Sequence, residues 1–128
     1  MIKWRVNAAS YGTAIIAAGV ALAACSPSDV SFSRDVQPIL KARCLECHAP
    51  GGAGYAASGF DMSTYETLMK GGKFGKLVKP GDPFTSALNM LVEGRADPSI
   101  RMPHDREQLP KKEIEILKAW VKEGAKNN

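Results

Sequence analysis

Two thiols three residues apart, with a histidine directly behind the second, constrain this chain more than any other stretch: Cys44-Leu45-Glu46-Cys47-His48. On a helix, positions i, i+3 and i+4 share one face, so both sulfurs and the imidazole can address one planar ligand. The apolar spacing that leads into the motif, Val36, Ile39 and Leu40, is helical. Three plainer arrangements compete. A thioredoxin-like redox pair belongs in a βαβ setting, and no strand pattern flanks the motif. Zinc needs four ligands, and beside the pair the chain offers His48 and His104 at most. A disulfide between Cys44 and Cys47 would close too small a loop to stabilise much. The pattern best matches attachment of one c-type haem, with Cys44 and Cys47 adding to its two vinyl groups and His48 ligating its iron.

Length suits one domain with little to spare, and the N-terminus reads as removable. Lys3 and Arg5 form a positive leader, residues 14–24 are an apolar run, and Leu22-Ala23-Ala24-Cys25 follows. That tetrapeptide resembles a bacterial lipobox, in which the cysteine is acylated and becomes the new N-terminus. A transmembrane helix is the first competitor, but the run falls short of the roughly 20 residues a bilayer requires. A plain secretory signal is the second. Lipidation is favoured because Cys25 stands where cleavage belongs and has no partner once Cys44 and Cys47 hold haem. The expected organisation is a signal peptide over residues 1–24, a lipidated tether over 25–31 and one domain over 32–128.

The formal charge of +4 belongs partly to the leader. Losing Lys3 and Arg5, and gaining two haem propionates, brings the mature protein near neutrality. No basic helix and no aromatic platform beside clustered arginines points to nucleic acid. Three cysteines, all with assigned roles, leave none for a disulfide framework.

Along the mature chain, a first helix is expected to start with Asp35 as N-cap and Val36 at N1, which puts Pro38 at N3, where its missing N–H costs nothing. Residues 49–54, Ala-Pro-Gly-Gly-Ala-Gly, predict a loop along one haem edge, with a backbone carbonyl to receive the second imidazole N–H of His48. Ser63 and Glu66 match a capping box, starting a short helix that Gly71 ends. Asp82, Pro83 and Gly94 mark another, with Phe84, Ala87, Leu88 and Leu91 facing inward. The last helix spans about residues 111–123, with Ile114, Leu117 and Val121 on one stripe and Gly124 as stop. No stretch reads as a strand.

Opposite His48, the candidate ligands are methionines. Met69 and Met90 fall in predicted helices, where methionine is ordinarily core filler, and Met62 resembles a packing residue. Met102 differs, because Arg101-Met102-Pro103-His104 lies in a breaker-rich loop before the last helix, and Pro103 stiffens it. His104 is the rival ligand, and an open position is the third possibility.

Phe32, Val36-Gln37-Pro38-Ile39-Leu40, the motif at residues 44–48, Pro80-Gly81-Asp82-Pro83, Met102-Pro103 and residues 114–125 together resemble the planctomycete-type cytochrome c domain of the class I cytochrome c superfamily, over about residues 32–126. The resemblance implies an all-α fold whose first and last helices cross around one covalently bound haem, with His48 and Met102 as axial ligands. Pro110 departs from it, standing where a capping serine would be expected three residues before Glu113. His/Met ligation closes the iron, which implies an electron carrier rather than an enzyme, with no catalytic residue to assign. The expected setting is the periplasm, tethered by lipid on Cys25. Ser26 replaces the aspartate of an inner-membrane retention signal and favours the outer membrane. Redox proteins are the expected donor and acceptor, and Lys70, Lys73, Lys76 and Lys79 are candidates for a positive docking rim or for a merely solvated loop. The competing functions are an open-site peroxidase or gas sensor, and a dedicated subunit of a dehydrogenase or oxidase complex.

Overall fold

Ser31, rather than Asp35, caps the first helical segment of the computed structural model, which describes residues 29–128. Its Oγ accepts from Arg34 N at 3.3 Å, and Asp35 Oδ2 accepts from Ser31 N at 2.9 Å. The expected signal peptide, most of the tether and Cys25 lie outside the described residues. The opening turn, Phe32–Val36, is π-helical, with Gln37 N donating to Phe32 O, and it runs straight into α1, Gln37–Arg43. Pro38 therefore lies well inside the helical stretch. The wider turn ahead of it gives its ring room, so the helix can begin earlier than proline alone would allow.

Only Cys44 separates α1 from α2, Leu45–His48. Residues 49–52 form a turn, and α3, Ala53–Ser58, follows where a continuous loop is expected. Three alanines in that stretch favour helix, and the flanking Gly52 and Gly59 provide its ends. The helix α4, Tyr65–Lys70, has Thr64 as N-cap in a reciprocal box with Thr67, one residue later than Ser63 and Glu66 suggest, and it ends at Gly71 as expected.

The next helix is shorter than its sequence signals imply. Asp82 caps a separate turn, accepting from Thr85 N at 3.0 Å, and α5 spans only Ala87–Val92. Ser86 causes the break. Its hydroxyl is fully buried and donates to Asp82 O at 2.9 Å, while it accepts from Lys79 N at 2.8 Å. A side chain that satisfies backbone groups in this way competes with the helical ladder. Phe84 consequently turns outward, 74% exposed, with the Arg95 guanidinium 4.9 Å from its ring centre.

After α5 a long strap containing one 3₁₀ turn, Pro98–Ile100, leads to α6, Lys111–Lys122. Pro110 stands at the N-cap with no side-chain bond, and Gly124 follows the end as expected. The opening π turn packs against α6. At that contact Phe32 meets Tyr65 at 5.2 Å and Trp120 at 5.6 Å between ring centres. The polar ends of these rings are used: Tyr65 Oη donates to Ala125 O and Trp120 Nε1 to Lys126 O. Val36, Leu40, Leu68, Leu117 and Val121 complete the buried centre. Ser31 and Ser33 hydroxyls both donate to Asn128 O, so the chain closes on itself beside this core. Among the described residues the regular structure is entirely helical, with one isolated bridge between Gly72 and Gly75. None of the described helices is long and apolar enough to cross a membrane.

Candidate functional site

Cys44 O accepts from both Cys47 N, at 3.2 Å, and His48 N, at 2.9 Å. The motif thus forms one further helical turn after the interruption at Cys44, and its three functional side chains line one cavity of about 850 Å³. Met102 and His104 line the same cavity. That size lies within the roughly 300–1,000 Å³ typical of ligand and cofactor pockets. The lining is mainly apolar, from Met62, Leu77, Leu88, Leu91 and Leu109. All the expected site residues within the described region are therefore brought together.

Cys44 and Cys47 carry no disulfide. Burial pushes the Cys44 thiol up to about 11, with the negative Glu113 adding to the effect. His48 is buried, and burial lowers its pKa against a weaker opposing pull from the Phe60 carbonyl. The ring is thereby kept neutral, the form that binds metal. Its Nδ1 is enclosed without a completed hydrogen bond. The expected acceptor within residues 49–54 is not there: Phe60, beyond α3, supplies the nearby carbonyl, because the chain turns into helix where a loop was expected. The backbone of His48 is held from the same side, its carbonyl accepting from Met62 N at 2.8 Å.

Gly54 is a site residue that spacing alone does not reveal. A Cβ there would stand 2.7 Å from His48 Cε1 and 3.0 Å from Nδ1. Only glycine lets the start of α3 lie flat on the imidazole.

The two candidates for the far side differ in setting. Met102 is half-buried and packs on the core, and its N–H donates to Leu91 O at 3.2 Å. The His104 side chain is 58% exposed, with Nε2 3.4 Å from Asp105 Oδ2. Met62 and Met90 also reach the cavity wall, which their helical or pre-helical positions did not suggest.

The four lysines Lys70, Lys73, Lys76 and Lys79 differ in setting. Lys73 Nζ donates to Ala56 O and Ala57 O at the end of α3, Lys79 Nζ donates to Thr85 Oγ1, and Lys76 alone of the four lines the cavity. Beside Lys76 stand Phe74, 80% exposed at the tip of the Gly72–Gly75 turn, and Ile100, 52% exposed. Neither carries a sequence signal, because apolar character alone predicts burial.

Several features of this site fit a covalently held haem. Two thiols and an imidazole share one turn, the imidazole is neutral and braced, and the walls are apolar. Zinc is less suited, since among the described residues no three His, Cys, Asp or Glu side chains cluster as a metal site would need.

Residues 44–105 match the family model described as Planctomycete cytochrome C. The match begins at the first thiol of the motif and ends just beyond the Met102 and His104 loop. Comparison with curated proteins found no match, and neither did comparison with solved structures.

Proposed function

We propose that this chain, whose residues 44–105 match the planctomycete cytochrome C family model, is a one-electron carrier in which Cys44 and Cys47 would hold a haem and His48 and Met102 would ligate its iron. Covalent haem c follows from the family; the ligand pair and the setting are the proposal. The observation that carries it is the shared cavity, lined by both thiols, the His48 ring and Met102.

Haem bound there supplies reversible ferric/ferrous chemistry. Cys44 and Cys47 would fix it by thioether bonds, so that it would not be lost between electron transfers. His48 contributes a neutral nitrogen, and Gly54 packed on its ring limits how far that nitrogen can swing. Met102 contributes a soft thioether, which favours the ferrous state and raises the potential above that of a bis-histidine site. Its half-burial against the core, beside an exposed His104, supports methionine over histidine as the distal ligand. Leu77, Leu88 and Leu109 line the cavity and would limit the access of water to a haem held there. With His48 and Met102 both holding the iron, the haem would exchange electrons and leave no open coordination position for a substrate.

The proposal extends to setting. The leader, the apolar run and Leu22-Ala23-Ala24-Cys25 support export and a lipid on Cys25, with Ser26 favouring the outer membrane. Partners are then redox proteins that approach the cavity mouth, where Phe74, Ile100 and Lys76 are accessible.

The test is a potentiometric titration of the haem-loaded protein, with carbon monoxide added to the reduced form. The proposal expects one reversible one-electron wave and a spectrum indifferent to the gas. Immediate formation of a carbon monoxide complex would instead support the open-site enzyme or sensor.

A further inference from the structure

Glu46 lies inside the motif, between the two thiols, and Arg106 lies four residues beyond Met102. Their side chains meet as a fork: Arg106 Nη1 donates to Glu46 Oε2 at 2.8 Å and Nη2 to Oε1 at 2.7 Å. Paired, parallel bonds of this kind fix orientation as well as distance.

The position of the fork gives it significance. The strap between α5 and α6, which carries Met102, is tied to α5 by Met102 N donating to Leu91 O and by Gln108 Nε2 donating to Val92 O. Within the strap, Arg101 Nη2 donates to Arg106 O at 3.3 Å and curls the segment around Met102. Both ties to α5 hold one side of the strap. Among the described residues, the Arg106–Glu46 fork is the side-chain bridge from the strap to the turn that bears Cys44, Cys47 and His48. The other bidentate pair near the motif, Arg43 with Glu113 at 3.0 Å, joins α1 to α6 and leaves the strap alone.

We propose that Glu46 and Arg106 form a latch that holds the Met102 strap closed over the His48 face, so that both are positioning residues for the distal ligand. This rests on the reading of His48 and Met102 as the axial pair. Both partners are partly exposed, at 47% and 72% of their side chains, so the latch is of modest strength. Its function is to shift a local equilibrium between a closed strap and one lifted far enough to free the sulfur. A small bias is enough for that, because opening of a loop with few anchors lies at the low end of the protein's stability range.

An external ligand that must displace Met102 reads this equilibrium directly. Imidazole is titrated into the ferric haem-loaded protein and followed by absorption. Glu46→Ala and Arg106→Ala should each tighten its apparent affinity by about two- to five-fold. The reversed pair, Glu46→Arg with Arg106→Glu, should bring affinity back toward wild type. Glu113→Gln, which breaks the comparable pair away from the strap, should leave it unchanged. Met102→Ala should tighten it well beyond any of these. If Met102→Ala tightens binding while Glu46→Ala and Arg106→Ala do not, the latch is wrong and the ligand assignment stands. If Glu113→Gln shifts affinity as much as Glu46→Ala, the effect is general loosening and the latch is equally overturned. If Met102→Ala itself has no effect, the axial assignment fails and takes the latch with it.

Discussion

The backbone of Gly54 lies against the ring of His48 so closely that a side-chain carbon at that position would approach Cε1 to 2.7 Å. Close packing leaves no slack for an added methyl group, and the neighbour it would strike is the proposed iron ligand. Gly54→Ala is therefore expected to destabilise the haem-loaded protein by about 1–3 kcal/mol and to alter its reduction potential and absorption. Gly51 provides the contrast. Its φ is +94°, but nothing lies within 4 Å of an added Cβ. Gly51→Ala should cost roughly 1–2 kcal/mol for the left-handed backbone alone and leave potential and spectrum as they are. Urea unfolding with a redox titration on both variants checks this. Equal spectral changes in the two would contradict it.

Glu93 closes α5 onto α6. It pairs with Arg95 through Oε2 and with Lys118 through Oε1, the latter at 3.3 Å. Burial alone would raise its pKa, but the two cations together outweigh that and hold the carboxyl below its ordinary value. A depressed folded-state pKa contributes stability above the unfolded value, near 4.3, and loses it as pH falls through the folded one. Glu93→Gln should thus cost about 1 kcal/mol at pH 7, and the gap to wild type should close below about pH 4. Denaturant midpoints across that range measure it. A gap that stays constant down to about pH 3 would show that the charge is not what matters.

How far the site could be read in advance depends on range. Cys44, Cys47 and His48 announce themselves because their chemistry is local, set by one helical turn. The last helix is legible for a similar reason: Leu117 and Val121 repeat at helical spacing and Gly124 ends the run. The start of α5 is not, because Asp82 and Pro83 form a good helix start that Ser86 then cancels by burying its hydroxyl among backbone groups. Phe84 turns outward as a result. The Glu46–Arg106 fork joins residues 60 positions apart, and two exposed opposite charges carry no mark of being partners. Gly54 is similar: a glycine among glycines reads as loop, and only the folded chain shows which one touches His48.

The proposed anchor makes its own prediction. Cys25→Ser removes the thiol to be acylated. The wild type should incorporate labelled fatty acid and the variant should not, while the haem spectrum stays intact, since Cys25 is separate from the motif. Metabolic labelling with haem staining reads both outcomes. A wild-type protein that takes up no label would contradict the lipid anchor.

The central claim is that Met102 completes the iron site opposite His48. The most direct measurement is the absorption spectrum of the oxidised, haem-loaded protein beside Met102→Ala and His104→Ala. Ferric iron bound to methionine sulfur has a weak long-wavelength charge-transfer band. The account predicts that band in the wild type and in His104→Ala and its loss in Met102→Ala. A wild-type spectrum without it, or one in which His104→Ala removes the low-spin signature while Met102→Ala does not, would contradict the account.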